Sequence, residues 1–520
     1  MKVIDRLQSA LSSDVPESLI SRDRWRLDEN YYGPLARAGS LGTHGVFLGA
    51  GSGLYPLLFA HEYPRRRIFI EEPIHEIRGA ILGVIQFMGL ENAFVFQDRA
   101  VLLGQLQAET AGISHLVVAE ECCTEDVFTA FDGLGPIDVL LGAFDECRIN
   151  PLWLHRWSRR NARRFYWQNE SLWQADGQNY PVVGAAFEGP DVTVIVPAHG
   201  AEARLDQCLS SLSAQTLADF EVLVIDDGLR QGALEIVAEW AKRDERIRVI
   251  HSSNKGFAPA RSCGLMAAKG YWVGFVDDED WVDAAMFQAL AESSARFTSD
   301  IAQCEYLRFS DREQVLDHED EVPRLCVAVG PKSGLIADPK DLIASGPSIW
   351  RRLYRRDFLQ DSGLSFHSDV PRLDDLVFQF MTLALAHRVS VVGAPYYFYR
   401  QERSEQAISV TDQRLHVYFS TFTALKAFVL QNHSAPLESL LFGTQLAFHE
   451  WALSVIDEKL RRVYLKAARY DLFENDWILS RSELMKASRV FGPSRFRLAR
   501  QLRRQFGSGL SEYQTLTKTN

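Results

Sequence analysis

The chain contains no run of about 18 uninterrupted apolar residues, so no membrane span is expected. Its N-terminus, MKVIDRLQSALSSDVPE, carries charges where a signal peptide needs an apolar run. Cysteine is scarce, with 7 residues, and the only close pair is the adjacent Cys122 and Cys123. No CxxC pair or zinc spacing occurs, and a sparse, odd set fits reduced thiols in a cytoplasmic protein. Positive charge is in deficit: 56 Lys and Arg face 68 Asp and Glu, for a net charge of -12. General nucleic-acid binding needs a basic footprint and is therefore not expected. Fixed-period repeats and low-complexity tracts are also missing.

The hydrophobic content of 47% and charged content of 24% are those of a globular protein. At 520 residues the chain is too long for one ordinary core. In the first part, GVFLGA, RRIFIEE, NAFVFQD, SHLVVAE and IDVLLGA read as short apolar strands separated by helical patterns. That alternation predicts a parallel sheet with crossover helices. A second α/β run, VTVIVPA, FEVLVIDD, IRVIHSS and YWVGFVDDED, begins after EGPD at Glu188–Asp191, where Gly-Pro punctuates the chain. From about residue 406 the pattern is helical and rich in aromatics. The expected organisation is an α/β domain over 1–187, a second α/β domain over 188–405 and a helical region over 406–520.

Ligands of open α/β sheets bind beyond the carboxyl ends of strands. One strand here ends in Pro197, Ala198, His199 and Gly200, another in Asp226, Asp227 and Gly228, and a third in Asp277, Asp278, Glu279 and Asp280. Two acid clusters at one edge repel unless a cation or hydrogen-bond donors stand between them. Hard oxygen ligands suit Mg²⁺ or Mn²⁺, which are commonly held by one or two carboxylates plus substrate phosphates. A single Asp-Asp pair is more often a solvated turn or a helix cap, so the order of the pieces matters more than any one of them.

VTVIVPAHGAEARLDQCLSSLSAQTLADFEVLVIDDG, followed by NKGFAPARSCGLMAAKGYWVGFVDDEDW, resembles the opening of family 2 glycosyltransferases. SIWRRLYRRDFLQDSGLSFHSDVPRLDDLVFQF and APYYFYRQ are similar to the later signatures of that family. The resemblance implies a GT-A fold for 188–405 and an inverting, metal-dependent enzyme. Such an enzyme moves a sugar from a nucleotide-sugar, with UDP the expected nucleotide, to a glycan or lipid-linked glycan hydroxyl in surface polysaccharide synthesis. By the same resemblance Pro197, Ala198 and His199 line the base and ribose pocket. Asp227 accepts a hydrogen bond from the base, and Asp226 is structural. Asp277 and Asp278 meet the ribose or a metal-bound water, and Glu279 holds Mn²⁺ or Mg²⁺. Arg261 contacts the phosphates, with a surface ion pair as its other reading. Asp375 is the general base that deprotonates the acceptor, and helix capping by Asp374 and Asp375 is compatible with that role.

The sequence departs from the family pattern at several of these positions. Glu279 stands where the family has Asp, which moves the carboxylate by about one C–C bond, ~1.5 Å. Asp374 replaces a Glu, His199 and Gly200 replace an aromatic-Asn pair, and Ser262 replaces the Asn of Ala-Arg-Asn. These changes bear on donor identity. They also keep open a catalytically silent glycan-binding or scaffold protein.

In the N-terminal domain, Gly49, Gly51 and Gly53 follow a strand, and Glu71 and Glu72 end the next one. Leu54 occupies the third glycine position of the dinucleotide fingerprint, so that match fails. The spacing resembles class I methyltransferases, in which S-adenosylmethionine would lie near these glycines and Glu72. A bifunctional transferase-methyltransferase follows from that reading. Phe47, where such enzymes carry an acid, argues against it and for a non-catalytic Rossmann-like domain. Lys486–Phe506 holds seven basic residues and no acid. It offers either a peripheral contact with an anionic inner membrane face or ion pairs with the acidic body or a sister subunit of a homo-oligomer.

Overall fold

The computed structural model describes the chain from His44 to Gln505, except 50–53, 109–112, 119–123, 133, 135–136, 144–148, 169–181, 184–186, 188, 200–201, 253–255, 311–315, 318–325, 329–332, 337, 345–346, 368–372, 402–417, 433, 474–479, 481–482 and 485–492. Two compact units result, one of residues 1–188 with 295–298 and one of 189–294 with 299–520.

In the first unit, strands β1 (His44–Leu48), β2 (Arg67–Glu71), β3 (Ala93–Phe96), β4 (Ile113–Val118), β5 (Ile137–Ala143) and β6 (Ala162–Gln168) are all parallel, in the order β3-β2-β1-β4-β5-β6. The two-residue β7 (Val182–Val183) joins β6 antiparallel. Helices α1 (Leu54–Glu62), α2 (His75–Met88), α3 (Arg99–Gln107), α4 (Glu125–Thr129) and α5 (Pro151–Asn161) lie between the strands in sequence. This is the doubly wound order, with its switch point between β1 and β4. The local signals are conventional. Asp98 caps α3 by accepting the Ala100 N–H, and Asn150 caps α5 ahead of Pro151, accepting from Leu152 and Trp153. Five of the six parallel strands are those expected from the apolar runs. The sixth begins Ala162-Arg163-Arg164, and the two charges conceal it.

The second unit opens with β8 (Val192–Ala198), α6 (Glu202–Ser213), β9 (Phe220–Asp226), α7 (Gln231–Arg243), β10 (Ile247–His251), α8 (Phe257–Ala267) and β11 (Trp272–Phe275). Its long sheet runs β10-β9-β8-β11 in parallel, then continues through β17 (Arg352–Arg355), β13 (Ile301–Ser310), β18 (Val389–Gln401), β16 (Ser333–Ile336) and β15 (Cys326–Ala328). Short β12 (Trp281–Val282) pairs with β18, and β14 (Leu316–Asp317) with β13. All seven residues of β8 are buried, as a parallel strand covered on both faces requires. The sheet order reverses between β8 and β11, so the ligand crevice of this unit belongs at their carboxyl ends. Helices α9 (Met286–Phe297), α10 (Arg356–Asp361) and α11 (Asp374–Leu385) complete the α/β part, and almost every residue of α11 is buried.

The C-terminal part of the unit is helical, as expected: α12 (Tyr418–Gln431), α13 (Ala435–Val455), α14 (Glu458–Phe473) and α15 (Pro493–Gln505). A buried polar cluster joins the first three. Asp471 accepts from Gln445 at 2.6 Å and meets His449 at 3.3 Å, His449 Nδ1 lies 2.9 Å from the Tyr464 hydroxyl, and Lys426 donates to the Asp471 carbonyl. Burial pushes the Asp471 carboxyl up, but Lys426 and His449 outweigh it and hold the group below the usual carboxylate range. In α15, Ala499 and Leu502 are fully buried with Leu498 packed beside them, and Arg495 pairs with Glu450 at 3.3 Å. Leu498 and Leu502 are thus taken up in packing within the unit, while Arg497, Arg500 and Arg503 are exposed. Phe506 lies outside the described residues. No described helix is long and apolar enough to cross a membrane.

Candidate active site

At the end of β8 the His199 backbone N–H donates to Asp278 Oδ2 at 2.9 Å, which spans the switch-point crevice between β8 and β11. The His199 ring is exposed, and its Nδ1 donates to the Asp227 carbonyl at 2.8 Å. Pro197 and Ala198 pair in register with Ile225 and Asp226. Asp226 and Asp227 then diverge. Asp226 folds back on its own turn, accepting from Gly228 and Leu229 and meeting His251 at 2.8 Å. Asp227 is buried and accepts the Gly256 N–H at 2.8 Å. Gly256 has φ 99°, a backbone that side chains avoid, and the turn into α8 needs it to point that N–H at Asp227.

The four acids after β11 have separate environments. Asp280 is only 1% exposed. It accepts from the Tyr397 hydroxyl and the Arg400 N–H, both at 2.8 Å, and burial with the nearby Asp277 raises its pKa well above the usual range. Arg400 also donates to the Glu279 carbonyl at 3.0 Å and to Gln207 at 2.8 Å. Its guanidinium covers the Trp281 ring at 4.8 Å. The acidic turn is therefore fastened to β18, a tie between distant segments that the sequence reading did not contain. Tyr397→Phe should lower stability by about 1–3 kcal/mol, because the buried Asp280 loses a donor. Urea unfolding of the full chain measures this, and an unchanged midpoint would remove Tyr397 from the account.

Asp277 faces Arg261 through Oδ1 at 2.9 Å, and Glu279 meets Arg204 at the longer distance of 3.5 Å. Among the described residues no three His, Cys, Asp or Glu side chains form a metal cage. A Mg²⁺-type ion shared with substrate phosphates needs only one or two carboxylates. The partly exposed Asp277 and Glu279 suit that arrangement, whereas the buried, doubly hydrogen-bonded Asp280 does not.

Asp374 and Asp375 open α11. Leu373, immediately before them, has the left-handed φ of 56°, a strained conformation for leucine that turns the chain into the helix. Asp374 is buried and accepts from Arg261 at 2.7 Å. Asp375 Oδ1 lies 2.8 Å from the Leu376 N–H. Burial, then the adjacent Asp374, push the Asp375 carboxyl up to about 6, against the opposing pull of Arg261. Arg261 is itself buried, so its alternative as a surface pair does not hold, and its partners lie on both sides of the site.

In the first unit, Gly49 adopts φ 69° and donates to the Glu71 carbonyl at 3.2 Å. Glu71 pairs with Arg99 at 2.9 Å, and the buried Glu72 accepts the Ile74 N–H at 2.9 Å. Both acids are thus engaged by the chain itself. Gly51 and Gly53 lie outside the described residues.

Residues 193–363 match the family model described as Glycosyl transferase family 2. The matched segment runs from β8 to α10 and is similar to that family. Curated relatives agree with the class. "Uncharacterized glycosyltransferase EpsJ" of Bacillus subtilis is 35% identical over 213 residues, covering 41% of this chain and 61% of the relative. "Glycosyltransferase GlyA" of Streptococcus pneumoniae is 35% identical over 122 residues, covering 24% and 18%. The "Poly(ribitol-phosphate) beta-glucosyltransferase" of Bacillus spizizenii is 24% identical over 224 residues, covering 42% and 33%. The chain therefore spans less than two thirds of each of these three relatives. A solved structure of S. aureus TarS 1-349 in complex with UDP aligns with a TM-score of 0.49 at 16% identity, over 63% of this chain and 90% of that one.

Proposed function

We propose that the chain is an inverting transferase that moves a sugar from a UDP-sugar to a glycan hydroxyl in the assembly of a surface polysaccharide. One observation carries the reading. Asp375 stands in the first turn of α11 beside Asp374, and Arg261 bridges Asp374 to Asp277 after β11.

Asp227, fixed by Gly256, would accept the uracil N–H. Pro197, Ala198 and His199 would flank the base and ribose, with Asp277 and Asp278 toward the ribose. Glu279 would hold Mn²⁺ or Mg²⁺, which when bound offsets charge on the departing diphosphate. Asp375 takes the proton of the acceptor hydroxyl as that oxygen bonds to the anomeric carbon. The bond from that carbon to the diphosphate breaks on the opposite face, and UDP departs with the bonding electrons. A single displacement inverts the anomeric centre.

The experiment is release of UDP from a panel of UDP-sugars by the full chain, with Mn²⁺ and oligosaccharide acceptors. Proton NMR of the product gives its anomeric configuration. The expected result is turnover of at least one donor, with inversion. No release above that of the Asp375→Asn chain, or retention in the product, would overturn the reading.

A further inference from the structure

We infer that Arg261 is a positioning residue that ties the donor-side acids to the acceptor-side acid pair, and is not a ligand of the leaving diphosphate. The inference rests on the transferase reading above and assigns this arginine a role different from the one family resemblance implies.

The guanidinium is a planar fork with fixed donor directions. One arm donates to Asp374 Oδ2 at 2.7 Å and the other to Asp277 Oδ1 at 2.9 Å. The side chain is only 8% exposed. Its remaining nitrogen, Nε, is buried and has no hydrogen-bond partner. The rings of Phe257 and Phe366 lie 5.6 and 5.8 Å from the guanidinium carbon. A diphosphate could reach this group only by displacing charge-assisted bonds that are among the stronger kinds in a protein.

The two bonds have a geometric consequence. Asp277 ends the β11 segment and Asp374 begins α11, so the width of one guanidinium sets the spacing between the two segments. Asp375 is the next residue along the backbone. Wherever Asp374 is held, the base carboxylate follows. The bridge also supplies a buried positive charge that acts on Asp277, Asp374 and Asp375 alike. Capping of α11 by Asp374 would account for the acid but not for an arginine reaching it from α8.

The test uses the full chain and the donor identified above, with two readouts: steady-state UDP release, and calorimetric binding of UDP with Mn²⁺. Arg261→Gln and Asp374→Asn should each lower kcat about 100-fold, the usual effect of a misplacement near 1 Å. Donor KM and UDP affinity should stay within about twofold, because ground-state binding is not what is lost. Combining the two changes should cost no more than about threefold beyond either alone, since both break one link. Arg261→Lys should recover part of the loss, as a point charge without the fork.

A rise of about tenfold or more in donor KM and UDP dissociation constant for Arg261→Gln, with kcat retained, would make Arg261 a phosphate ligand and overturn the inference. If Arg261→Gln does not fold, Asp374→Asn decides, being isosteric and leaving the arginine in place. Full kcat in that variant overturns the bridge. A parent chain no faster than Asp375→Asn would instead bring down the transferase reading itself, so the two failures are distinguishable.

Discussion

Asp375→Asn should reduce kcat by about 10²–10⁴-fold, the range that general-base removal produces, while donor KM changes little. The substitution keeps the side-chain shape and an oxygen for the Leu376 N–H. It also removes a charge that burial disfavours, so the variant should unfold no more easily than the parent. The sign follows from linkage. A carboxyl whose folded pKa is raised from the ordinary range to about 6 makes the folded state bind extra protons, so its contribution to stability falls as pH rises through that interval. At neutral pH the parent bears that cost and the asparagine variant does not. The base works only when ionised, so parent kcat/KM should climb through about pH 6 and then level off. The variant should lack that limb. A limb near pH 6 that survives in the variant would assign the titration to another group.

Gly270→Ala should be the most damaging small substitution in the second unit. Gly270 sits between α8 and β11, and its N–H donates to Thr193 Oγ1 at 2.7 Å. A Cβ there would lie 2.3 Å from the Thr193 backbone nitrogen and 2.7 Å from both the Trp272 carbonyl oxygen and the Val192 carbonyl carbon. All three are main-chain atoms of paired strands, so no rotamer can relieve the clash. A loss of about 3 kcal/mol or more is expected, at the upper end of overpacking effects. Gly264→Ala is a useful contrast. The three atoms nearest its Cβ would belong to the Ile195 side chain, the closest at 2.4 Å, and a side chain has more freedom to give than paired main chain, so the loss should be smaller. Guanidinium midpoints compare the two variants, and equal midpoints would contradict the argument.

Much of this was legible in the sequence because the informative residues sit at the ends of strands. Mostly apolar runs such as that of β8 announce buried parallel strands, and the residue after such a run is at the sheet edge by construction. Asp227, Asp277 and Asp375 could therefore be nominated from position and family order. Less visible was which acids have which partners. Asp280 looked like one more member of an acidic run. Its neighbours Tyr397 and Arg400 come from APYYFYRQ, a stretch marked only by its likeness to a later family signature. Arg261 had no visible partner, since one is 16 residues away and the other 113. Pattern within a window reports burial and period, but it does not report pairing across the fold. The strained Leu373 is likewise silent in sequence, because leucine gives no sign of a left-handed backbone.

The ties from Asp374 to Arg261 and from Asp280 to Tyr397 span 113 and 117 residues. Closing loops of that length is slow relative to local strand and helix formation. As a nascent chain leaves the ribosome, residues 192 to 280 emerge with their acids in place and without the tyrosine and β18 arginine that later hold Asp280. Asp280 therefore has neither of these two hydrogen-bond donors until residue 400 has been synthesised.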